Sequence, residues 1–227
     1  MPLPLVSRAP RPLNDLSWDE LSGFLAPAAP TEEERRKVFA AIHAHGRDVA
    51  GLRDVRRVRR PVLDLAQTGE IARLEVVERR KALDGFVKYL FRSPRGGEFE
   101  AVRIPIFDEK HVVCISSQVG CALACDFCQT GRLGFKRNLA TWEMVEQIRI
   151  IREEAELPVR GIVFMGMGEP LLNYDNVVRA AAIFSSPAGY SIGARTITVS
   201  TAGVVPAIHR YIREEQPYRL AFSVTSA

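Results

Sequence analysis

The sequence has 227 residues, of which 47% are hydrophobic and 26% charged, and its formal net charge is +4. This balance fits one large or two small globular domains and excludes a chain too polar to build a core. The sequence has neither a run of about 18 apolar residues nor a secretory signal, so we expect a cytoplasmic protein with no membrane segment.

Two capping boxes predict helices in the first third of the chain. In each, a Ser or Thr is followed three residues later by a Glu, a spacing that satisfies the free N–H groups of a helix start. Helix-like segments are expected to continue to about residue 83, so residues 1–84 are predicted to form a small helical accessory domain. The boxes are Ser17 with Glu20, for a helix near 17–25, and Thr31 with Glu34, for a helix near 31–45.

The predicted accessory domain has one basic stretch. Between Arg47 and Arg60 the sequence has six arginines and two aspartates. Such an excess fits contact with a polyanion such as RNA, and it fits equally a solvated charged surface.

Strand patterns begin after residue 84. Three β-rich runs separated by turn residues predict a short antiparallel extension at 86–92, 99–105 and 111–116. From 111 onward strands alternate with helices, which predicts parallel strands, right-handed crossovers and a functional site at the strands' carboxyl ends. The predicted parallel strands are 111–116, 161–165, 196–200 and 219–224, and the helices between them lie near 141–155, 173–184 and 204–213.

All four cysteines lie between residues 114 and 128, and three of them, Cys121, Cys125 and Cys128, have the spacing C-x3-C-x2-C. Thiolates suit iron–sulfur clusters and zinc. Three cysteines would leave one iron of a four-iron cluster open to a small ligand, as in an open catalytic metal site. The alternative is a structural zinc site with Cys114 as fourth ligand, although Cys114 lies on a predicted strand rather than in a paired zinc knuckle.

The C-x3-C-x2-C loop is the radical S-adenosylmethionine (SAM) signature, and its surroundings resemble the RlmN/Cfr family of adenosine-C2 RNA methyltransferases. The resemblance is dense from about 85 to 223, and residues 1–84 resemble the family's helical accessory domain in outline. It implies an α/β fold in which residues 85–227 are the N-terminal portion of a partial (β/α) barrel, with about four of six units. The segments that carry it are CISSQVGCALACDFCQTGRLGFKRNL, GIVFMGMGEPLLNYDNVV and TITVSTAGVVPAI.

The resemblance implies two cofactors, a 4Fe–4S cluster held by the three loop cysteines and SAM bound to the open iron. Taken alone, the Gly-Glu pair at 168–169 also fits an ordinary turn before a helix, and the serine at 200 also fits a helix cap. The family usually has Ser-Thr-Ser-Gly where this chain has Ser-Thr-Ala-Gly, and Ser-Leu-His where this chain has Ser-Val-Thr. The SAM contacts that the resemblance implies are Gly168, Glu169, Ser200, Ser223 and Thr225.

Two further residues match catalytic positions of the family. Glu100 matches a proton acceptor, although from its context alone it is a carboxylate on a strand face. The implied reaction methylates a cysteine near the C-terminus with one SAM, and a second SAM supplies the radical that activates this methyl group for addition to adenine C2. Cys114 matches a second cysteine, which forms a disulfide with the first as the product is released. No cysteine follows Cys128, so the methyl-carrying cysteine has no candidate in this sequence.

The implied substrates are 23S ribosomal RNA and, in many family members, transfer RNA, with a reductant such as flavodoxin or ferredoxin. Arg132, Lys136 and Arg137 fit phosphate contacts or a solvated loop. Two alternatives stay open: radical-SAM chemistry on a peptide or small molecule, and an inactive RNA-binding fragment.

The chain is also expected to be incomplete. The sequence predicts four parallel strands, whereas the family's barrel has six units. The two missing units and a tail need on the order of 100 residues. Without them Leu220, Phe222 and Val224 are expected to face solvent at an open sheet edge. We therefore expect no 2-methyladenosine from this chain alone. The alternative is a shortened enzyme that works with a partner chain.

Overall fold

The structure is a computed structural model that describes residues 11–107 and 109–224. The helices are α1 (Trp18–Leu25), α2 (Glu32–His43), α3 (Arg60–Ala66), α4 (Gln129–Arg132), α5 (Thr141–Glu154), α6 (Tyr174–Ser185) and α7 (Val205–Arg213). The strands are β1 (Glu75–Lys81), β2 (Val87–Arg92), β3 (Glu98–Ile106), β4 (Lys110–Cys114), β5 (Gln118–Val119), β6 (Arg137–Asn138), β7 (Val159–Phe164), β8 (Ile197–Thr201) and β9 (Arg219–Phe222).

Seven of the strands form one mixed sheet in the order β1-β2-β3-β4-β7-β8-β9. Strands β1 to β4 are antiparallel neighbours, whereas β4, β7, β8 and β9 run parallel. Strands β5 and β6 form a separate two-stranded ladder. The α/β prediction, with an antiparallel extension leading into a parallel series, is confirmed.

The two faces of the sheet differ in burial. Val113, Phe164 and Val199 lie on the face that packs against the helices, and the Phe164 ring lies 6.4 Å from the ring of Phe184 on α6. The pairing register places a second row of residues on the opposite face, and the side chains of this row are only partly buried. This open face carries the aligned row Val102, Cys114, Val163 and Thr198.

The first helices begin at the predicted capping boxes. The Ser17 hydroxyl accepts from the Glu20 N–H and the Thr31 hydroxyl accepts from the Glu34 N–H, while each glutamate accepts from the N–H of its cap residue. The turn before α1 packs against α5, where the buried Asp15 carboxylate accepts from the N–H of Trp142 (2.8 Å). On α2, the ring of His43 lies 6.5 Å from the ring of Tyr190. None of the described helices has the length and apolar content needed to cross a bilayer.

Residues 75–81 correct the expectation that helix-like structure continues to residue 83. They form the edge strand β1, which pairs antiparallel with β2 and carries mostly exposed side chains. Charged residues favour helices by local propensity, but here pairing with β2 decides the structure. The charges protect the sheet edge, and Arg79 pairs with Glu154 of α5. The boundary at residue 84 remains a prediction.

At the other edge of the described sheet, two of the three apolar residues expected to face solvent near β9 do so. Phe222 and Val224 are 58% and 82% exposed. Leu220, however, packs against the core, because it aligns with Val199 on the helix-covered face.

Only some arginines of the basic stretch between Arg47 and Arg60 are free to contact a polyanion. Arg59 donates three hydrogen bonds to the Glu34 carboxylate, two from its guanidinium (2.8 and 2.9 Å) and one from its backbone N–H (2.9 Å), and these bonds hold the pKa of that carboxyl well below its usual range. Arg60 pairs with Asp64. The exposed arginines that remain for a polyanion are Arg53, Arg56 and Arg57.

Replacing Thr31 by alanine is expected to destabilise the protein by about 1 kcal/mol, because the N–H of Glu34 loses its acceptor. Guanidinium chloride unfolding of the two proteins measures the difference. Thr31→Ser keeps the hydroxyl and should unfold at nearly the same concentration as the unchanged protein. Equal midpoints for all three proteins would contradict a role for the cap.

Candidate cofactor site

Three chain segments meet at the carboxyl ends of the parallel strands. The segment after β4 leads into the cysteine loop, and the turn after β7 has the sequence GMGEP. The N–H groups of Ser117 and Gln118 donate to the carbonyl of Met167 (2.9 and 3.1 Å), and the N–H of Gly166 donates to the carbonyl of Ile115 (3.0 Å). These bonds fasten the base of the cysteine loop to the GMGEP turn.

The cysteine loop runs between β5 and α4 and is bounded by close backbone contacts. Gly120 has φ +76°, and a Cβ there would lie 1.7 Å from the carbonyl oxygen of Gly134. A Cβ on Gly131 would lie 3.0 Å from the N of Cys125. Glycine is therefore required at Gly120 by both its backbone conformation and its packing. The half-buried thiols of the loop remain accessible to iron from solvent.

The loop thiols influence one another electrostatically. Burial raises the pKa of the Cys121 thiol, and a hydrogen bond from the Leu123 N–H opposes that rise. The nearby thiols of Cys125 and Cys128 and the carboxylate of Glu169 raise the pKa further. A cationic group between the thiols would relieve this repulsion and favour the thiolate forms. The donor set is soft and anionic, and it fits an iron–sulfur cluster.

Cys114 lies apart from this set. Burial raises the pKa of its thiol, and a hydrogen bond from the backbone of Met165 opposes that rise. Across residues 11–107 and 109–224, no three His, Cys, Asp or Glu side chains converge where a single metal ion could be held. The same holds for the three loop cysteines, so this finding does not distinguish an iron–sulfur cluster from the zinc alternative with Cys114 as fourth ligand.

Residues 115–227 match the family model of the Radical SAM superfamily. Residues 115–227 belong to the radical SAM superfamily. Members of this superfamily use a 4Fe–4S cluster and SAM, and the matched segment begins just before the cysteine loop. The two cofactors expected from the sequence are therefore those of its superfamily.

Within this superfamily, the chain is similar to proteins that are named RNA methyltransferases. The chain is 63% identical over 217 residues to a protein of Myxococcus xanthus named "Probable RNA methyltransferase", covering 95% of this chain and 61% of that protein. It is 38% identical over 231 residues to a "Probable dual-specificity RNA methyltransferase RlmN" of Heliobacterium modesticaldum, covering 97% and 60%. A radical SAM methyltransferase structure from Sphaerobacter thermophilus superposes with a TM-score of 0.79 at 36% identity, covering 94% and 63%. The chain thus spans about 60% of the length of these relatives.

The Gly-Glu pair of this radical SAM chain lies directly beside the cysteine loop. Gly168 has φ +102°, and a Cβ there would lie 2.5 Å from the Cβ of Gln118. Glu169 is 3% exposed. Its carboxylate accepts hydrogen bonds from the N–H groups of Leu171 (3.0 Å) and Ala202 (2.9 Å). Both carboxylate oxygens are thus already bonded to backbone, and a SAM contact of Glu169 remains a prediction.

The two serines expected to contact SAM face each other. The hydroxyls of Ser200 and Ser223 lie 3.0 Å apart, at the ends of β8 and β9. The helix-cap alternative for Ser200 is wrong, because the Thr201 hydroxyl accepts from the N–H groups of Gly203 and Val204 before α7. Thr225 lies outside the described residues.

Glu100 and Cys114 share the open face of the sheet. Cys114 pairs in register with Val102, and Glu100 lies two residues before Val102 on β3. The Glu100 carboxylate forms an ion pair with Lys88 at 3.0 Å and is 42% exposed. Ser200 lies on the same face, two residues after Thr198 in the aligned row. The fold therefore brings three residues that were predicted separately onto one face of the sheet, where Ser200 is buried and Glu100 is exposed.

Several residues that shape the site were missed from the sequence. The Gln118 side chain accepts from the N–H of Glu169 (2.9 Å) and donates to the Asn138 side chain (2.7 Å). The Asn173 amide donates to the carbonyls of Ser117 and Leu139 (2.8 and 2.7 Å). The available signal was a set of amide side chains inside otherwise apolar or glycine-rich segments, because such groups must find partners when buried.

The cations after the loop divide into two groups. Arg137 donates two hydrogen bonds to the buried carboxylate of Glu143 and two to the carbonyl of Gly96. These bonds occupy its guanidinium, so Arg137 is not free for phosphate. Arg132 and Lys136 are exposed and keep that expectation.

Proposed function

We propose that this chain supplies the cofactor-binding portion of a radical SAM methyltransferase that methylates C2 of adenosine in ribosomal RNA, and also in transfer RNA, through a methyl-carrying cysteine that is not in this sequence. The observation that carries the proposal is the C-x3-C-x2-C loop at the carboxyl edge of a parallel sheet, in a chain whose relatives are named RNA methyltransferases. Adenine C2 is a carbon without an acidic proton, so ordinary nucleophilic methyl transfer fails there. A radical cofactor removes that obstacle.

In this proposal Cys121, Cys125 and Cys128 hold the 4Fe–4S cluster. When bound, the cluster and SAM supply the one-electron chemistry of the reaction. The protein orients SAM between the cysteine loop, the backbone at Gly168 and the hydroxyls of Ser200 and Ser223. The short glycine-bounded loop and the bonds to the GMGEP turn support this assignment, because they fix the loop relative to the strand ends.

The open face of the sheet would receive the adenine. A base in a duplex hides C2, so it must leave its stack to enter the site. Half-buried apolar groups such as Val102 and Val163 would pack against the base, and the Cys114 thiol would lie beside it. Glu100 would hold or accept a proton there, with its charge balanced by Lys88. Arg132 and Lys136 would bind phosphates near the loop.

The proposal includes a cytoplasmic location and an electron donor such as flavodoxin or ferredoxin, because ribosomal and transfer RNA are cytoplasmic and the cluster must be reduced. These partners follow from the proposed reaction.

Mass spectrometry of nucleosides from a deletion strain tests the proposal. Deleting the gene in the organism that encodes it should remove 2-methyladenosine from ribosomal RNA, and returning the gene should restore it. A gene with Cys125→Ala should not restore it. Unchanged 2-methyladenosine after deletion would contradict the proposed substrate and favour radical SAM chemistry on a peptide or small molecule.

A further inference from the structure

Asn173 occupies the position of a helix cap, but its side chain binds elsewhere. It is the last residue before α6, where asparagine is a preferred capping residue. In the part of the chain that the structure describes, no N–H at the start of α6 donates to its side chain. Its amide nitrogen instead donates to two backbone carbonyls, those of Ser117 (2.8 Å) and Leu139 (2.7 Å).

These two carbonyls lie on either side of the cysteine loop. Ser117 directly precedes β5 and Leu139 directly follows β6, so the 117–139 segment contains the cysteine loop and α4. Inside the segment, β5 and β6 pair over two residues each, and the N–H of Leu139 donates to the carbonyl of Ser117 (3.0 Å). A ladder of this length is not stable by itself. The base of the segment therefore needs contacts from outside, and Asn173 binds both of its ends.

The two partners determine which side chain is needed at position 173. A backbone carbonyl only accepts hydrogen bonds, so the group that faces Ser117 and Leu139 must be a donor. The side-chain oxygen of Asn173 accepts from the side-chain amide of Asn176 (2.8 Å). Asn173 is 3% exposed and both carbonyl-bearing residues are buried, so water is a poor substitute for the two bonds. An aspartate caps a helix as well as an asparagine does, but an ionised carboxylate has no hydrogen to donate.

We propose that Asn173 is a positioning residue that closes the 117–139 segment at its base and thereby controls how long the cysteine loop retains a bound cluster. The cluster is released when the segment opens, and opening the base breaks both Asn173 bonds. The inference rests on the proposed function for the cluster itself. The closure concerns only amide and carbonyl groups of this chain and is testable without a cofactor.

The rate of cluster loss tests the inference in the cluster-loaded chain. An iron chelator is added without oxygen, and the decrease of the visible absorbance gives the rate. Asn173→Asp should raise this rate about tenfold to a hundredfold, because two buried carbonyls lose their donor and face a carboxylate. The matched control is Asn14→Asp. Asn14 is also buried, and its amide donates to the carbonyl of Ala72 (2.8 Å), outside the 117–139 segment.

The control separates loop closure from general stability. Both variants should unfold at a lower guanidinium chloride concentration than the unaltered chain, but Asn14→Asp should leave the rate of cluster loss unchanged. An unchanged rate in Asn173→Asp would overturn the proposal and assign Asn173 to the start of α6. Equal increases of the rate in both variants would also overturn it, because the effect would then follow from general destabilisation.

Nuclear magnetic resonance tests the closure in the unaltered chain without a cluster. The side-chain amide hydrogens of Asn173 and the N–H of Leu139 should exchange slowly with solvent, because both groups are hydrogen-bonded and buried. Fast exchange of the Asn173 side-chain hydrogens would overturn the proposal even if Asn173→Asp failed to fold. If the unaltered chain took up no cluster, the proposed function would fail, and the side-chain exchange would still decide whether Asn173 closes the segment.

Discussion

Replacing Cys125 by alanine is expected to abolish cluster binding. The unaltered protein, purified without oxygen, should be brown and carry about four irons per chain, and the variant should be colourless. Two thiolates cannot replace three at a cluster whose fourth iron is already without a protein ligand. Iron and sulfide analysis, with the visible absorbance spectrum, measures the loss. Cys121→Ala and Cys128→Ala should behave in the same way.

Cys114→Ala is the matched control. Cys114 lies on β4, before the loop, and the Cys121 thiol responds to Cys125, Cys128 and Glu169 rather than to it. The variant should retain the iron content and absorbance of the unaltered protein. Loss of the cluster in Cys114→Ala would show that the assigned ligand set is wrong. A colourless unaltered protein with one tightly bound zinc would contradict the cluster itself.

The parallel part of the fold was predictable from the sequence because its signals are local. Each of β4, β7 and β8 is an apolar run that ends at a polar or glycine-rich turn, and helices alternate with these strands along the chain. The cysteine loop was equally predictable, because three cysteines within residues 121–128 of one loop have few possible functions. These features depend on residues close together in sequence.

Features that depend on distant partners were not predictable. Strand β1 has the composition of a helix, and only its pairing with β2 makes it a strand. The direction of the Glu169 carboxylate depends on an amide 33 residues away. Arg137 looked free for phosphate because its partner, Glu143, lies on the next helix and is recognisable as buried only once α5 is packed. In each case the deciding contact forms in the tertiary structure.

The buried Glu143 carboxylate is the second position where a large effect is expected. It is 0% exposed and accepts hydrogen bonds from both terminal nitrogens of Arg137 (2.7 and 2.8 Å) and from the N–H of Ala140 (2.7 Å). Arg137 lies on β6, the strand that follows the cysteine loop, and it also binds the carbonyl of Gly96 in the hairpin between β2 and β3. Through Arg137, Glu143 therefore connects α5 to β6, the strand after the cysteine loop, and to the hairpin between β2 and β3.

Glu143→Gln is expected to destabilise the protein by about 3 kcal/mol, because it leaves the Arg137 guanidinium without its counter-charge and turns an N–H group towards it. Guanidinium chloride unfolding under reducing conditions measures the change. Glu153→Gln, on the same helix, is the matched control. Its carboxylate is 55% exposed in an ion pair with Arg149, and such pairs contribute less than about 1 kcal/mol.

A double-variant cycle separates the ion pair from the packing around it. Glu143→Gln combined with Arg137→Met removes the stranded charge together with its partner, so the two changes should cost less together than the sum of the single changes. Additive effects would mean that Glu143 stabilises the fold through the N–H of Ala140, through its ion pair with Arg95 (3.6 Å) or through packing rather than through Arg137. If Glu143→Gln lowered the free energy of unfolding by less than about 1 kcal/mol, as the exposed control does, the buried ion pair would not stabilise the fold. Water would then replace the carboxylate at the Arg137 guanidinium.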